Sequence, residues 1–262
     1  MKLIAELLEE VRTIAETAGE AILQTNAGDI GVTEKGDGSP LTRADMASHN
    51  IIQAGLESLK LEFPILSEEG DLDNLDQQDW TTYWCVDPLD GTKEFINRSG
   101  DYTVNIALVS NNRPILGVVD IPASGVTYYA AQELGAWKRR HDGQPARIAP
   151  STCSRPATAV VSRSHLDSQT EQFLARIGVA NVIPHGSSLK ICAVADGSAD
   201  IYPRFGPTCL WDTAAGAAIA LEAGCKVVDL ADNDLMYNPA GNIKHAGFIV
   251  APAGLELPPS GK

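Results

Sequence analysis

The sequence predicts an α+β / α/β chain in which helices and mixed sheets pack in layers. Three observations predict it. An amphipathic helical stripe opens the chain, short β-rich runs separated by turn residues fill positions 104–137, and strands alternate with helices from position 159 onward. The 262 residues, 44% hydrophobic and 21% charged, suffice for a buried core in one or two domains.

Ile4, Leu7, Leu8, Val11, Ile14, Ala18 and Ile22 share one face of a helix over 3–22. The Gly-, Asp- and Pro-rich stretch 27–40 reads as a mobile loop. A second helix runs from near Thr42 to about Leu61, and Thr42 with Asp45 has the spacing of a capping box. Strands follow at Pro64–Leu66 and Tyr83–Val86. Val104–Val109, Pro114–Ile121 and Val126–Ala130 read as an antiparallel meander. The later alternation predicts strands at 159–162, 179–183, 200–203 and 245–250. Helices are expected at 167–177, from Gly186-Ser187-Ser188, and at 212–223. The Pro-containing loop Arg147–Pro156 divides the chain into halves 1–150 and 151–262.

The formal charge of −14 argues against binding a nucleic-acid polymer, which needs a basic face. A small anion is still admissible, because bound metal reverses the sign of one pocket. No run reaches the roughly 18 apolar residues of a membrane span. The acidic N-terminus is unlike a signal peptide, so the expected location is cytoplasmic, with room for peripheral attachment at the inner membrane face. Cys85, Cys153, Cys192, Cys209 and Cys225 contain no C-x-x-C pair and read as reduced residues. The dinucleotide, P-loop and nucleophile-elbow motifs are all absent.

The informative segment is Trp84-Cys85-Val86-Asp87-Pro88-Leu89-Asp90-Gly91-Thr92, a hydrophobic strand ending in what reads as a β-turn. Asp87 and Asp90 would stand at its first and fourth positions, close enough to repel unless a cation intervenes. Hard oxygen donors without His or Cys favour Mg²⁺. The Leu89 carbonyl could add an oxygen, and Gly91 and Thr92 could offer N–H groups to an anion. Taken singly, Glu68-Glu69 is an ordinary charged loop and Asp212 an ordinary N-cap. Their joint occurrence at element ends suggests one metal pocket.

D-P-L-D-G-T-K-E-F at 87–95, S-E-E at 67–69 and W-D-T-A-A-G at 211–216 resemble the lithium-sensitive phosphatases of the inositol monophosphatase superfamily. Lys93-Glu94-Phe95, G-S-S-L-K at 186–190 and Y-P-R-F-G-P-T at 202–208 are similar to its CysQ-type 3′(2′),5′-bisphosphate nucleotidase branch. The resemblance implies a layered α-β-α-β-α sandwich shared with fructose-1,6-bisphosphatases. The carboxylates would lie at the junction of the halves. It implies that Glu68, Asp87, the Leu89 carbonyl, Asp90 and Asp212 hold two or three Mg²⁺ ions, with Glu69 the alternative to Glu68. By the same resemblance, Asp45 would take a proton through Thr92 from the attacking water.

Ser187, Ser188 and Lys190 offer hydroxyls, N–H groups and a point charge, and the resemblance makes them nucleotide-side contacts. The substrate would also meet Glu68, Leu89, Asp90, Gly91, Thr92 and Asp212. Arg204 stands between a phosphate or base contact and an exposed arginine stacked on Tyr202 or Phe205. His185 reads as a loop histidine and Trp211 as a core residue. The activity implied is hydrolysis of the 3′-phosphate of adenosine 3′,5′-bisphosphate (PAP), or of PAPS, to AMP or APS. That would recycle a by-product of sulfate assimilation. The alternatives are an inositol monophosphatase or broad sugar-phosphate phosphatase, and a non-catalytic nucleotide or metal sensor. The oligomeric state, monomer or homodimer, is open.

Overall fold

The computed structural model describes residues 4–25, 30–36, 38–72, 79–163, 167–240 and 242–257. Helix α1 (Ile4–Thr25) leads through a hairpin, β1 (Thr33–Glu34) with β2 (Pro40–Leu41), to helix α2 (Arg43–Ser58). Strand β3 (Ile65–Ser67) then pairs in parallel with β4 (Thr82–Asp90). After the short helix α3 (Thr92–Ile96), the chain runs antiparallel through β5 (Thr103–Ser110), β6 (Arg113–Ile121), β7 (Val126–Ala131), β8 (Gly135–Arg140) and β9 (Ala146–Arg147). Together β3 to β9 form one seven-stranded sheet in sequence order.

The rest alternates. Strand β10 (Thr158–Ser162), helix α4 (Ser168–Ile177) and strand β11 (Asn181–His185) make a parallel unit. They are followed by α5 (Leu189–Ala195), β12 (Tyr202–Arg204), β13 (Thr208–Cys209), α6 (Ala214–Ala223), β14 (Cys225–Asp229), β15 (Lys244–His245) and β16 (Phe248–Pro252). Strand β16 pairs with both β12 and β14, and a bridge between Ala159 and Ile201 joins them to β10.

Alternation along β4 sets the layers. Tyr83 and Cys85 face the core that contains Ile191 of α5 and Ala214, Ala217 and Ile219 of α6, while Trp84 and Val86 face the core of α1 and α2. Tyr202, Phe248 and Val250 cover the far side of α5 and α6. Ala159, Val161, Ile249 and Ala251 turn the other way onto Phe173 and Leu174 of α4. The order is helix, sheet, helix, sheet, helix. No described helix is long and apolar enough to cross a membrane.

Several boundaries differ from the sequence reading, each for a local reason. Stretch 27–40 contains a hairpin: Lys35 N–H bonds to the Ser39 carbonyl and Gly38 N–H to the Lys35 carbonyl. Residues 27–29 and 37 lie outside the described residues. Helix α2 ends at Ser58, not Leu61, because Lys60 turns to φ +57°. Strand β11 starts two residues late, since the Val179 N–H bonds back to Leu174 behind the left-handed Gly178. Asp200 is also spent locally, accepting from Ala157 N–H and Thr158 N–H, so β12 begins at Tyr202. The helix expected from 186 begins at Leu189, and α6 begins at Ala214 with Thr213 as its N-cap. Strand 245–250 breaks at Gly247, where an added Cβ would lie 2.7 Å from the Arg204 carbonyl. Strands β8 and β9 extend the seven-stranded sheet, and β14 the sheet of β12 and β16, beyond the runs anticipated from sequence.

Gly117 is where α6 meets β6: a Cβ there would lie 2.2 Å from the Ala215 carbonyl oxygen and 2.8 Å from the Ala218 methyl. Gly117→Ala therefore forces the helix off the sheet and is expected to destabilise the chain by about 1–3 kcal/mol. Urea unfolding measures it, and an unchanged midpoint contradicts the packing.

Candidate metal centre

Residues three apart in a regular strand point to opposite faces. Asp87 and Asp90 nevertheless pair with Asn105 and Thr103, which are two apart on β5 and share a face. A β-bulge supplies the extra residue that brings both carboxylates to the same side. This corrects the β-turn expected from sequence: β4 continues to Asp90, and the irregularity lies within it. Pro88, which has no N–H to donate, falls inside the bulge. Its carbonyl accepts from Ser48 Oγ at 2.6 Å, tying the bulge to α2. The Leu89 N–H donates to Asp87 Oδ1 at 3.0 Å.

Other elements bring two more carboxylates. Glu68 follows β3, its N–H bonded to the Val86 carbonyl. Asp212 precedes α6, and its Oδ2 accepts from Thr208 Oγ1 at 2.8 Å and Cys209 N–H at 2.9 Å. The N-cap reading of Asp212 fails, because Thr213 occupies that position. Carboxylate oxygens of Glu68, Asp87 and Asp212 lie within 4.8 Å of one another. Asp90 lines the same cleft, with Oδ2 accepting from Ser188 Oγ at 3.1 Å and Asn105 Nδ2 at 3.3 Å.

Burial pushes the Asp87 carboxyl well above the usual range, and Glu68, Asp90 and Asp212 push it further. Asp90 is pushed up to about 7 by burial and then by Asp212. Burial raises Asp212 too, against the donors Thr208 and Cys209. Asp87 Oδ2 is buried without a hydrogen-bond partner among the described residues. An orphaned oxygen among like charges is what a cation would complete, and an all-oxygen donor set suits Mg²⁺ rather than zinc or copper.

Asp45 closes the capping box expected of it and also meets Thr92. Oδ2 closes the capping box by accepting from Thr42 N–H at 2.7 Å and Thr42 Oγ1 at 2.5 Å. Oδ1 accepts from Thr92 Oγ1 at 3.1 Å. Burial raises the Asp45 carboxyl, with the Thr42 bonds opposing the shift. Thr92 Oγ1 also lies 3.3 Å from the Leu89 carbonyl, which places all three beside the carboxylates.

A cleft of about 390 Å³ opens over these groups, lined among others by Gly91, Thr92, Ser187, Ser188, Lys190, Arg204 and Asp212. Ser187 takes a left-handed φ of +41°, and its buried Oγ has no partner among the described residues. Ser188 is turned inward, its hydroxyl also 2.7 Å from the Asp212 carbonyl. Lys190 Nζ donates to the Ser187 carbonyl at 2.5 Å and to the His185 carbonyl at 3.4 Å. Burial lowers its ammonium to about 8, with Asp90 opposing. Arg204 is half-buried and donates Nη2 to the Pro207 carbonyl, and its Nε has no partner among the described residues. Lys190 lies over the Tyr202 ring, Tyr202 also takes a side-chain hydrogen bond from Arg204, and Phe205 packs on Phe173. His185 ends β11 outside the lining, whereas Trp211 is a core residue that also forms cleft wall.

Sequence reasoning missed Lys35, Asn105 and Thr208. Lys35 Nζ lies 2.7 Å from Glu68 and 2.5 Å from Glu69. Burial lowers its ammonium, but the two glutamates outweigh that and hold it above its usual value. Glu69 thus pairs with Lys35 and stands outside the three-carboxylate group.

The model of the inositol monophosphatase family matches residues 4–254. The chain is 45% identical to the 3′(2′),5′-bisphosphate nucleotidase CysQ of Shigella flexneri and 46% identical to that of Escherichia coli K12. Both alignments cover 94% of this chain and 99% of the relative. The crystal structure of CysQ from Bacteroides thetaiotaomicron superposes with a TM-score of 0.83 at 40% identity, covering 95% of this chain and 97% of that one. An inositol monophosphatase from Anabaena shares the fold at a TM-score of 0.77 and 24% identity, covering 98% of each chain.

The raised carboxyls fix the sign of a pH effect. A folded-state pKa above the unfolded one means that the folded chain binds more protons between the two values. Stability therefore falls as pH rises through that window, which for Asp90 spans the ordinary 3.8 to about 7. With chelator at pH 8, Asp90→Asn is expected to stabilise the chain by on the order of 1 kcal/mol or more. The gain over the parent should shrink toward pH 5. Destabilisation by Asp90→Asn under chelation contradicts the repulsion.

Proposed function

The chain belongs to the inositol monophosphatase family, and on that premise we propose that it is a magnesium-dependent 3′(2′),5′-bisphosphate nucleotidase. Its substrate would be adenosine 3′,5′-bisphosphate, cleaved to AMP and phosphate. The observation that carries this reading is 45% identity, across 94% of the chain, to a protein bearing that name. The cleft chemistry supports it. Lys35, Lys93, Lys190 and Arg204 bring positive charge to a cavity that otherwise presents Glu68, Asp90, Glu94 and Asp212. A ligand with phosphates at two positions meets both kinds of wall.

Glu68, Asp87, the Leu89 carbonyl, Asp90 and Asp212 would hold two or three Mg²⁺ ions, the first four from the half 1–150 and Asp212 from the half 151–262. Bound Mg²⁺ lowers the pKa of the attacking water and offsets charge on the phosphoryl oxygens. The chain's own residues handle the proton. Thr92 lines the cleft and its Oγ1 donates to Asp45 Oδ1, so its lone pairs would accept a proton from a water there. As that water is deprotonated, the Thr92 proton passes to Asp45, whose other oxygen is pinned by Thr42. No covalent phosphoenzyme is needed. Lys190 has two of its three N–H donors on carbonyls, which leaves one for the second phosphate. The unpartnered Ser187 Oγ and Arg204 Nε are the further donors we assign to the nucleotide side.

Phosphate release with Mg²⁺ should be at least tenfold faster in kcat/KM from adenosine 3′,5′-bisphosphate than from inositol 1-phosphate. It should stop with chelator and be inhibited by lithium. Faster turnover of the inositol ester would reassign the chain to the inositol monophosphatases, and no turnover of either would favour a sensor. Thr92→Val removes the proton relay while nearly keeping shape, so kcat should drop about 10²-fold or more. Loss of the donor to buried Asp45 Oδ1 should lower folding stability by about 1–3 kcal/mol, so kcat is read on the folded variant. Retention of parental kcat by this variant would remove Thr92 from the mechanism.

A further inference from the structure

Asn105 lies outside the motif set, yet it touches the centre from behind. It is fully buried on β5, directly opposite Asp87 in the ladder. Its Oδ1 accepts from Thr103 Oγ1 at 2.9 Å, which orients the amide. The Nδ2 donors then reach Asp90 Oδ2 at 3.3 Å and Ser188 Oγ at 3.0 Å. With its oxygen accepting from Asn105, Ser188 passes its single proton on to Asp90 Oδ2 at 3.1 Å or to the Asp212 carbonyl at 2.7 Å. One connected chain thus runs from Thr103 through Asn105 and Ser188 to carboxylates contributed by β4 and by the approach to α6.

We propose that Asn105 is a positioning residue for metal binding: it fixes the Asp90 carboxylate and locks it to the Asp212 segment through Ser188. The inference rests on reading Asp90 and Asp212 as Mg²⁺ ligands. An amide suits the place on chemical grounds. Its two N–H groups supply one donor to Asp90 Oδ2 and one to Ser188 Oγ without adding charge. A carboxylate at 105 would instead add another negative group beside Glu68, Asp87, Asp90 and Asp212. Groups that orient metal ligands typically change metal affinity by about 10–100-fold when removed.

The test is a Mg²⁺ titration of thermal stability without substrate, run on the full chain, Asn105→Leu and Thr103→Val, with a parallel titration of activity. Asn105→Leu should raise the Mg²⁺ concentration for half-maximal stabilisation tenfold or more. The concentration for half-maximal activity should rise equally. At saturating Mg²⁺ the KM for adenosine 3′,5′-bisphosphate should stay within about threefold. Thr103→Val, which removes only the orienting hydroxyl, should shift the Mg²⁺ midpoint the same way by a smaller factor; it carries the test if Asn105→Leu fails to fold. Lower stability in chelator with an unchanged Mg²⁺ midpoint would show a merely structural residue and overturn the proposal. Absence of any Mg²⁺ stabilisation in the parent chain would instead remove the metal reading, and the proposal with it.

Discussion

Carboxylates held together where water screens them poorly are the constraint on which the rest of the structure depends. Asp87 is only 1% exposed and carries an oxygen with no donor among the described residues, while Glu68 and Asp212 bring further oxygens within 4.8 Å. Like charges at such separations repel, and burial adds a desolvation penalty to each. Every device around them holds the group together against that repulsion: the bulge in β4, the Ser48 bond to the Pro88 carbonyl, the Thr208 and Cys209 donors on Asp212. A chain shaped for stability alone gains nothing from this gathering. Local conflict with folding is what a functional site looks like in physical terms.

The layers make the conflict tolerable. β4 lies within the seven-stranded sheet, with the α1–α2 core on one face and the α5–α6 core on the other. Its two aspartates therefore stand on backbone that packing has already immobilised. Helix α6 rests on β6 through Gly117, closely enough to leave no space for a methyl group. Asp212, at its approach, is thus fixed relative to a strand from the other half of the chain. Ser188 spans the same seam from the start of α5, bonded to Asp90 on one side and the Asp212 carbonyl on the other.

Much of this was legible in the residues. Asp87, Asp90, Glu68 and Asp212 could be nominated because acidic residues at the ends of hydrophobic segments are conspicuous, and the Thr42–Asp45 spacing announced the capping box that forms. The bulge was not legible. Asp-Pro-x-Asp-Gly has the composition of a β-turn, and only pairing with β5 determines that the strand continues. Lys35 escaped because its position depends on a hairpin of two-residue strands, too short to leave a periodic pattern. Asn105 escaped for a related reason: one polar residue in an apolar strand says nothing about which carboxylate its amide will meet across the ladder.

The charge of −14 belongs in the same account. A few of those acids converge on one pocket, where Lys35 already supplies part of the counter-charge to Glu68 and Glu69. The central claim is that divalent cations supply the remainder. Anomalous diffraction from crystals soaked in Mn²⁺, which accepts the same oxygen donors as Mg²⁺, tests it most directly. The account predicts peaks bounded by Glu68, Asp87, the Leu89 carbonyl, Asp90 and Asp212. Peaks elsewhere, or none in this cleft at saturating Mn²⁺, would contradict it.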